Sequence, residues 1–88
     1  MTTPASRDEL IEVLARSLYE RCNAESWDDA EHERRVIYRE EIANHLLALE
    51  AAGVVPVPVA PTEEMMLEHE VYGLTRAIAA SPYRKGRP

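Results

Sequence analysis

The chain has no phenylalanine, one tryptophan and one cysteine in 88 residues, and only 6% of it is aromatic. Each shortage excludes something. With so few rings, Leu, Ile, Val and Ala must fill the interior, and helix formers dominate such a set. The lone Cys22 rules out an intramolecular disulfide and fits a reducing compartment, where a buried thiol is its ordinary role. No apolar run reaches the length of a signal-peptide core or a membrane span, so a soluble protein of the cytoplasm, with no membrane partner, is expected.

Acidic residues are also missing from one place: none of the sixteen lies beyond Glu70, whereas Arg84, Lys85 and Arg87 fall in the last five positions. The body is acidic, with a net charge of −6 overall, and the tail is basic. An acidic body repels phosphate backbones, which argues against nucleic acid as a partner. At this length the chain is one domain, and folding buries only about 60% of the extended chain's surface, so the core is thin.

The organising stretch runs from Asp28 to Gly53, proline-free and helical in pattern. Asp28 as N-cap, with Glu31 three residues on, suits the positive end of the helix dipole, and Gly53 stands where a left-handed C′ residue belongs. Tyr38, Ile42, Leu46 and Leu49 share one arc, with Val36, Ala43 and Leu47 beside it. The apolar arc is wider than the stripe of about 100° that a single partner needs, so two neighbours are expected. A rod of roughly 25 residues is about 37 Å long, more than a compact domain of this size accommodates, which points to an elongated bundle or an oligomer.

Before it, Ser6-Arg7-Asp8-Glu9 is a capping box opening a helix to about Arg21, with Leu10, Ile11, Leu14, Ala15, Leu18 and Cys22 on one face. The short connection Asn23–Trp27 makes the first two helices antiparallel, with Trp27 folded over the junction. After Gly53, Pro56, Pro58 and Pro61 alternate with β-branched residues and impose an extended crossover. Thr62 caps a third helix, continuing to about Ala80, along which Leu67, Val71, Leu74 and Ile78 follow a heptad-like 4, 3, 4 spacing. This seam is the expected core face. Met65, Tyr72 and Ala79 lie around the helix from it and are the expected interface with a second copy.

The chemistry-bearing residues do not assemble into a catalytic signature. Glu41 with His45, and Glu64 with Glu68, share helix faces, but neither completes a metal motif, and ion pairing explains them. The serines read as caps, surface or turns, without a base beside them. His45 lies at the margin of the apolar stripe. Arg34, Arg35, Tyr38 and Arg39 form a patch whose forked donors suit a phosphate, against the plainer reading that Glu31 pairs with Arg34 and Arg35 along the helix. Arg35, Tyr38, Arg39 and Arg84 are the candidate ligand-binding residues; no catalytic or metal residue and no cofactor is expected.

The run LIEVLARSLYE, then SWDD, then ERRVIYREEIANHLLALEAAG, from Leu10 to Gly53, resembles a group of small helical proteins encoded by bacteriophages and prophages, mainly of actinobacteria. The resemblance covers about half the chain and carries over no activity. It implies a mobile-element origin and a bacterial cytoplasm, where a short acidic protein acts by occupying a host factor's surface. The expectation is an all-α fold: an antiparallel helical hairpin plus a third helix after a proline-rich crossover, in an oligomer, with a dimer favoured. It forms a single domain over residues 1–88, with a flexible lead at 1–5, a connector at 54–61 and a basic tail at 81–88. The expected function is non-catalytic binding, with inhibition of a host or defence protein as its use; the alternative is an oligomeric sponge for an anionic nucleotide.

Overall fold

A computed structural model describes residues 3–85, so Met1 of the lead and Arg87 of the tail lie outside the described residues. The protein is all-α: α1 (Arg7–Cys22), a 3-10 turn (Trp27–Asp29), α2 (His32–Ala51), α3 (Glu63–Tyr72) and α4 (Leu74–Ala79), with no strand among the described residues. Its radius of gyration is 14.8 Å, against about 12 Å for a compact chain of this length, and it measures 47 × 27 × 19 Å. The elongation follows from the length of α2 and from the packing of α3 on α4 and of α1 on α2 as two separate pairs.

The helix ends are set by local chemistry. Ser6 Oγ accepts the Glu9 N–H at 3.2 Å, one of the helix's orphan donors, and the Glu9 carboxylate reaches back to the N–H of Ala5, the residue before the cap, at 2.7 Å. Thr62 Oγ1 accepts the Met65 N–H at 3.1 Å and starts α3. At the end of α2, Gly53 has φ +86°, and the Val54 N–H reaches back to the Leu49 carbonyl at 2.9 Å while the Gly53 N–H takes that of Glu50 at 3.0 Å. That pair of bonds defines a Schellman ending, which needs the left-handed residue glycine supplies.

Two boundaries differ from expectation. Asp28 does not cap α2: it lies inside the 3-10 turn, whose cap is Ser26, with Oγ accepting the Asp28 N–H at 3.3 Å. Helix α2 begins four residues later, at His32, without a side-chain cap. The burial of Trp27 accounts for the shift, because the turn folds the indole onto α1 before α2 departs. The expected third helix is also broken. Gly73, with φ +96° and ψ −177°, separates α3 from α4, a backbone conformation open only to glycine. Helix α4 then folds back along α3, with Arg76 paired to Glu68 at 3.6 Å.

The contacts between α1 and α2 run in opposite order along the two helices: Arg7 meets Glu50, Glu12 meets Arg39, and Tyr19 meets Tyr38. Between them lies a small core of Ala15, Tyr19, Trp27 and Ala30, against which Tyr38 and Ile42 pack. Trp27 is 1% exposed, and its ring meets Tyr19 edge-on at 5.6 Å. Each large ring removes about 150–250 Å² from water, so these two side chains dominate a core otherwise made of alanines.

The segment expected to be a basic tail is in its first half structural. Ser81 and Tyr83 are buried, and Tyr83 donates its hydroxyl to the Pro4 carbonyl at 2.7 Å. Ser81 Oγ donates to the Pro56 carbonyl at 2.7 Å, Arg7 donates to the Tyr83 carbonyl at 2.7 Å, and the Lys85 N–H reaches Glu50 at 2.9 Å. Residues 81–85 therefore tie the lead, the proline connector and the end of α2 together, which a solvated tail cannot do.

Candidate functional site

The arginine patch is largely occupied from within. Arg39 is held by Glu12 through Nε at 2.6 Å and Nη2 at 3.2 Å, and its guanidinium lies 5.5 Å from the centre of the Trp27 ring. Glu12 also accepts the Trp27 indole N–H at 2.9 Å. The Arg39 hydrogen bonds, joined by that of Trp27, hold the Glu12 carboxyl below the usual glutamate range against the opposing effect of burial. Arg35 donates to the Asp28 carbonyl at 2.7 Å and covers the same indole at 6.0 Å, while its Nε is buried without a hydrogen-bond partner. Tyr38 faces Tyr19 edge-on at 5.1 Å and accepts from Asn23 Nδ2 at 3.2 Å. Two guanidiniums and a phenol thus brace the Trp27 junction.

Arg84 lies toward the opposite end of α2. Its neighbour Lys85 bonds Glu50, eleven residues along α2 from Arg39, a rise of roughly 16 Å. The structure brings Arg35, Tyr38 and Arg39 together and leaves Arg84 apart from them. Of the two arginines expected to pair with Glu31, Arg35 donates to the Asp28 carbonyl, while the carboxylate that engages the patch is Glu12, on Arg39. Sequence reasoning missed Glu12 because its two partners stand 15 and 27 residues away.

His45 is exposed, with Nδ1 2.7 Å from the Glu41 carbonyl oxygen. No group of three or more His, Cys, Asp or Glu side chains able to hold a metal occurs among the described residues. Cys22 is exposed rather than buried, beside Leu18 and Ile37 on the flank of the α1–α2 pair. No helix among the described residues is long and apolar enough to cross a membrane.

The unusual surface belongs to α3 and α4. Leu67, Val71, Tyr72 and Leu74 are 61, 60, 62 and 63% exposed. The expected division of this helix is therefore reversed in part: Leu67, Val71 and Leu74 of the seam assigned to the core face outward while its Ile78 is half-buried, and Met65, assigned to the interface, is 5% exposed and packed within the chain. The break at Gly73 is the cause, because folding α4 back turns Met65, Ala77 and Ala80 inward. Tyr72 is exposed as the interface assignment requires, and Ala79 is half-buried in a cleft with Glu64, Glu68 and Arg76.

On the other side of α3, a groove of about 560 Å³ opens between the helices and the proline connector. Val55, Val57, Met66, Leu74 and Ile78 line it over a floor of Met65, and His69 supplies a polar group. Its size falls in the range of ligand and anchor-residue pockets. A scan against protein-family models finds no match, and searches of curated proteins and of solved structures find none either.

Proposed function

We propose that the protein is a non-catalytic binding protein that acts through protein contacts made by α3 and α4, and that it pairs with a second copy of itself. The observation that carries this reading is the row Leu67, Val71, Tyr72 and Leu74, all about three-fifths exposed on one small helical pair. Single exposed apolar residues are ordinary on protein surfaces, but four within eight positions form a patch that loses contact with water when a partner covers it. In the setting the phage resemblance implies, the further partner is a host or defence factor of the bacterial cytoplasm.

The alternative, a nucleotide sponge built on Arg35, Tyr38, Arg39 and Arg84, has less support, since the Asp28 carbonyl already engages Arg35, Glu12 engages Arg39, and Tyr19 and Asn23 engage Tyr38. Light scattering tests the proposal. At tens of micromolar the mass should exceed the monomer's 10.0 kDa, and cyclic nucleotides should leave the melting temperature unmoved. A monomer mass, or a nucleotide-dependent rise in melting temperature, would overturn it.

A further inference from the structure

We infer that the groove beside α3 takes a short amphipathic helix with basic flanks, presented by a partner protein. This rests on the binding reading above and names the chemistry of one partner. The groove wall is aliphatic and thioether almost throughout, from Val55 and Val57 of the connector, Met66 of α3, and Leu74 and Ile78 of α4. Methionines adapt to differing apolar shapes, and Met66 is itself 58% exposed, so the wall is open to an incoming side chain. Helix α3 has ten residues and is about 15 Å long, matching roughly three turns of a partner helix laid along it. Such a helix presents apolar anchors at i, i+3 or i+4, and i+7.

Charge decides which helix fits. On α3 the neighbours of Met66 one turn away are Glu63 at i−3 and Glu70 at i+4, which by helical position stand beside the Met66 wall on its Leu67 side, outside the groove's own lining. Both residues are exposed, and neither forms an ion pair among the described residues. The nearby cation Arg76 is turned elsewhere, into the cleft with Glu64 and Glu68. Lysine or arginine flanking the anchors of an incoming helix therefore meets two uncompensated carboxylates on a chain of net charge −6. A second copy placed symmetrically on this groove would set Glu63 and Glu70 against themselves, and an anionic lipid or fatty carboxylate meets the same repulsion. Leu67 and Val71 lie about 100° and 140° around α3 from Met66 and do not line the groove, so a second copy on those two residues leaves the Met66 and connector side open, with Leu74 bordering both surfaces.

The test uses the full chain and model peptides of about fourteen residues. One is a leucine–lysine peptide with leucines at helical spacing. The second has the same composition in scrambled order, and the third is a leucine–glutamate peptide in the first pattern. In fluorescence anisotropy the patterned leucine–lysine peptide should bind, and more weakly as salt is raised. Met66→Ser and Leu74→Ser alter no charge and fall at exposed positions; each should weaken binding about tenfold while circular dichroism stays unchanged. The pair Glu63→Gln and Glu70→Gln should flatten the salt dependence. Leu67→Ser should leave peptide binding as it was. Equal binding of the scrambled peptide, equal binding of the leucine–glutamate peptide, or full affinity in the Met66 and Leu74 variants would each overturn the inference. If no peptide binds while light scattering finds a dimer, the groove proposal falls and the binding reading stands; if both fail, both fall.

Discussion

The carboxylate of Glu12 accepts the indole N–H of Trp27 at 2.9 Å and, with the same two oxygens, holds the guanidinium of Arg39, which in turn covers the Trp27 ring. One side chain from α1 thus fixes the 3-10 turn and α2 together. Trp27 lies at the centre of a core that has little else of comparable size.

Replacing Glu12 by Ala should therefore cost about 1–3 kcal/mol, because it strips a buried indole N–H of its acceptor and removes a charge-assisted pair. Arg39→Ala should cost less, since Glu12 keeps its bond to Trp27. Urea unfolding followed by Trp27 fluorescence measures both, and a double-mutant cycle isolates their coupling. Equal costs for the two single variants would show that the indole bond contributes little.

The helical class, the caps at Ser6 and Thr62, the Gly53 ending and the covered Trp27 were legible because each rests on residues a few positions apart. What was not legible depends on distant chain. Nothing local announces that Glu12 meets Trp27 and Arg39, that Arg7 meets Glu50, or that Tyr83 reaches Pro4 across 79 positions. The break at Gly73 was hidden for another reason. A 4, 3, 4 apolar spacing spans it, and periodicity reads through a glycine that the backbone uses to turn. Once the turn is made, spacing no longer says which face is inward.

Acid should unfold the protein through Glu50 and Glu12. Glu50 lies below the ordinary carboxylate range, first because the Lys85 backbone N–H donates to it and then because of Arg7; Glu12 is lowered by Arg39 and Trp27. Both groups bind protons more readily unfolded than folded. Their contribution is complete above the ordinary glutamate value of about 4.3 and is lost as pH falls through the lower folded values. Stability measured by chemical denaturation should hold near neutrality and drop steeply below about pH 4.3. Glu50→Gln should be less stable at pH 7 and show a shallower acid slope; an unchanged slope would remove Glu50 from the account.

At the alkaline end the sign is reversed. Tyr19 is raised by its hydrogen bond to Glu25 and then by burial, and Tyr83 is raised by burial. A folded state that keeps phenols neutral loses stability once pH passes the ordinary tyrosine value of about 10. Tyrosinate absorbance from Tyr19 and Tyr83, isolated by Phe replacement of each in turn, should therefore appear only together with unfolding. Its appearance while helicity is intact would contradict this.

Gly73 supplies a conformation that other residues resist, yet a methyl group built there meets nothing within 4 Å. Gly73→Ala therefore carries backbone strain and no steric clash, at a cost of about 1–3 kcal/mol. The strain falls between α3 and α4, so amide hydrogen exchange should quicken in residues 63–80 while the α1–α2 pair keeps its protection. Uniform loss of protection would mean that the two halves unfold as one unit.

The last prediction separates the inward and outward faces of α3, which lie only two residues apart in sequence. Met65 is 5% exposed, and an aspartate there would place an unpaired carboxylate among Ala77, Ile78 and Val55. Leu67 is 61% exposed, so its carboxylate replacement stays in water and leaves the monomer intact. Met65→Asp should thus unfold the α3–α4 pair, lowering helicity. Leu67→Asp and Val71→Asp should keep full helicity and instead release folded monomers from the proposed dimer, because an isologous contact would double each new charge at the interface. Leu74→Asp belongs with the second group despite its place in the heptad-like spacing, since it too is mostly exposed. Circular dichroism and light scattering on the four variants decide the matter. Loss of helicity in Leu67→Asp would show that the seam is core after all, whereas unchanged mass in Leu67→Asp, Val71→Asp and Leu74→Asp would show that the row is not where copies meet.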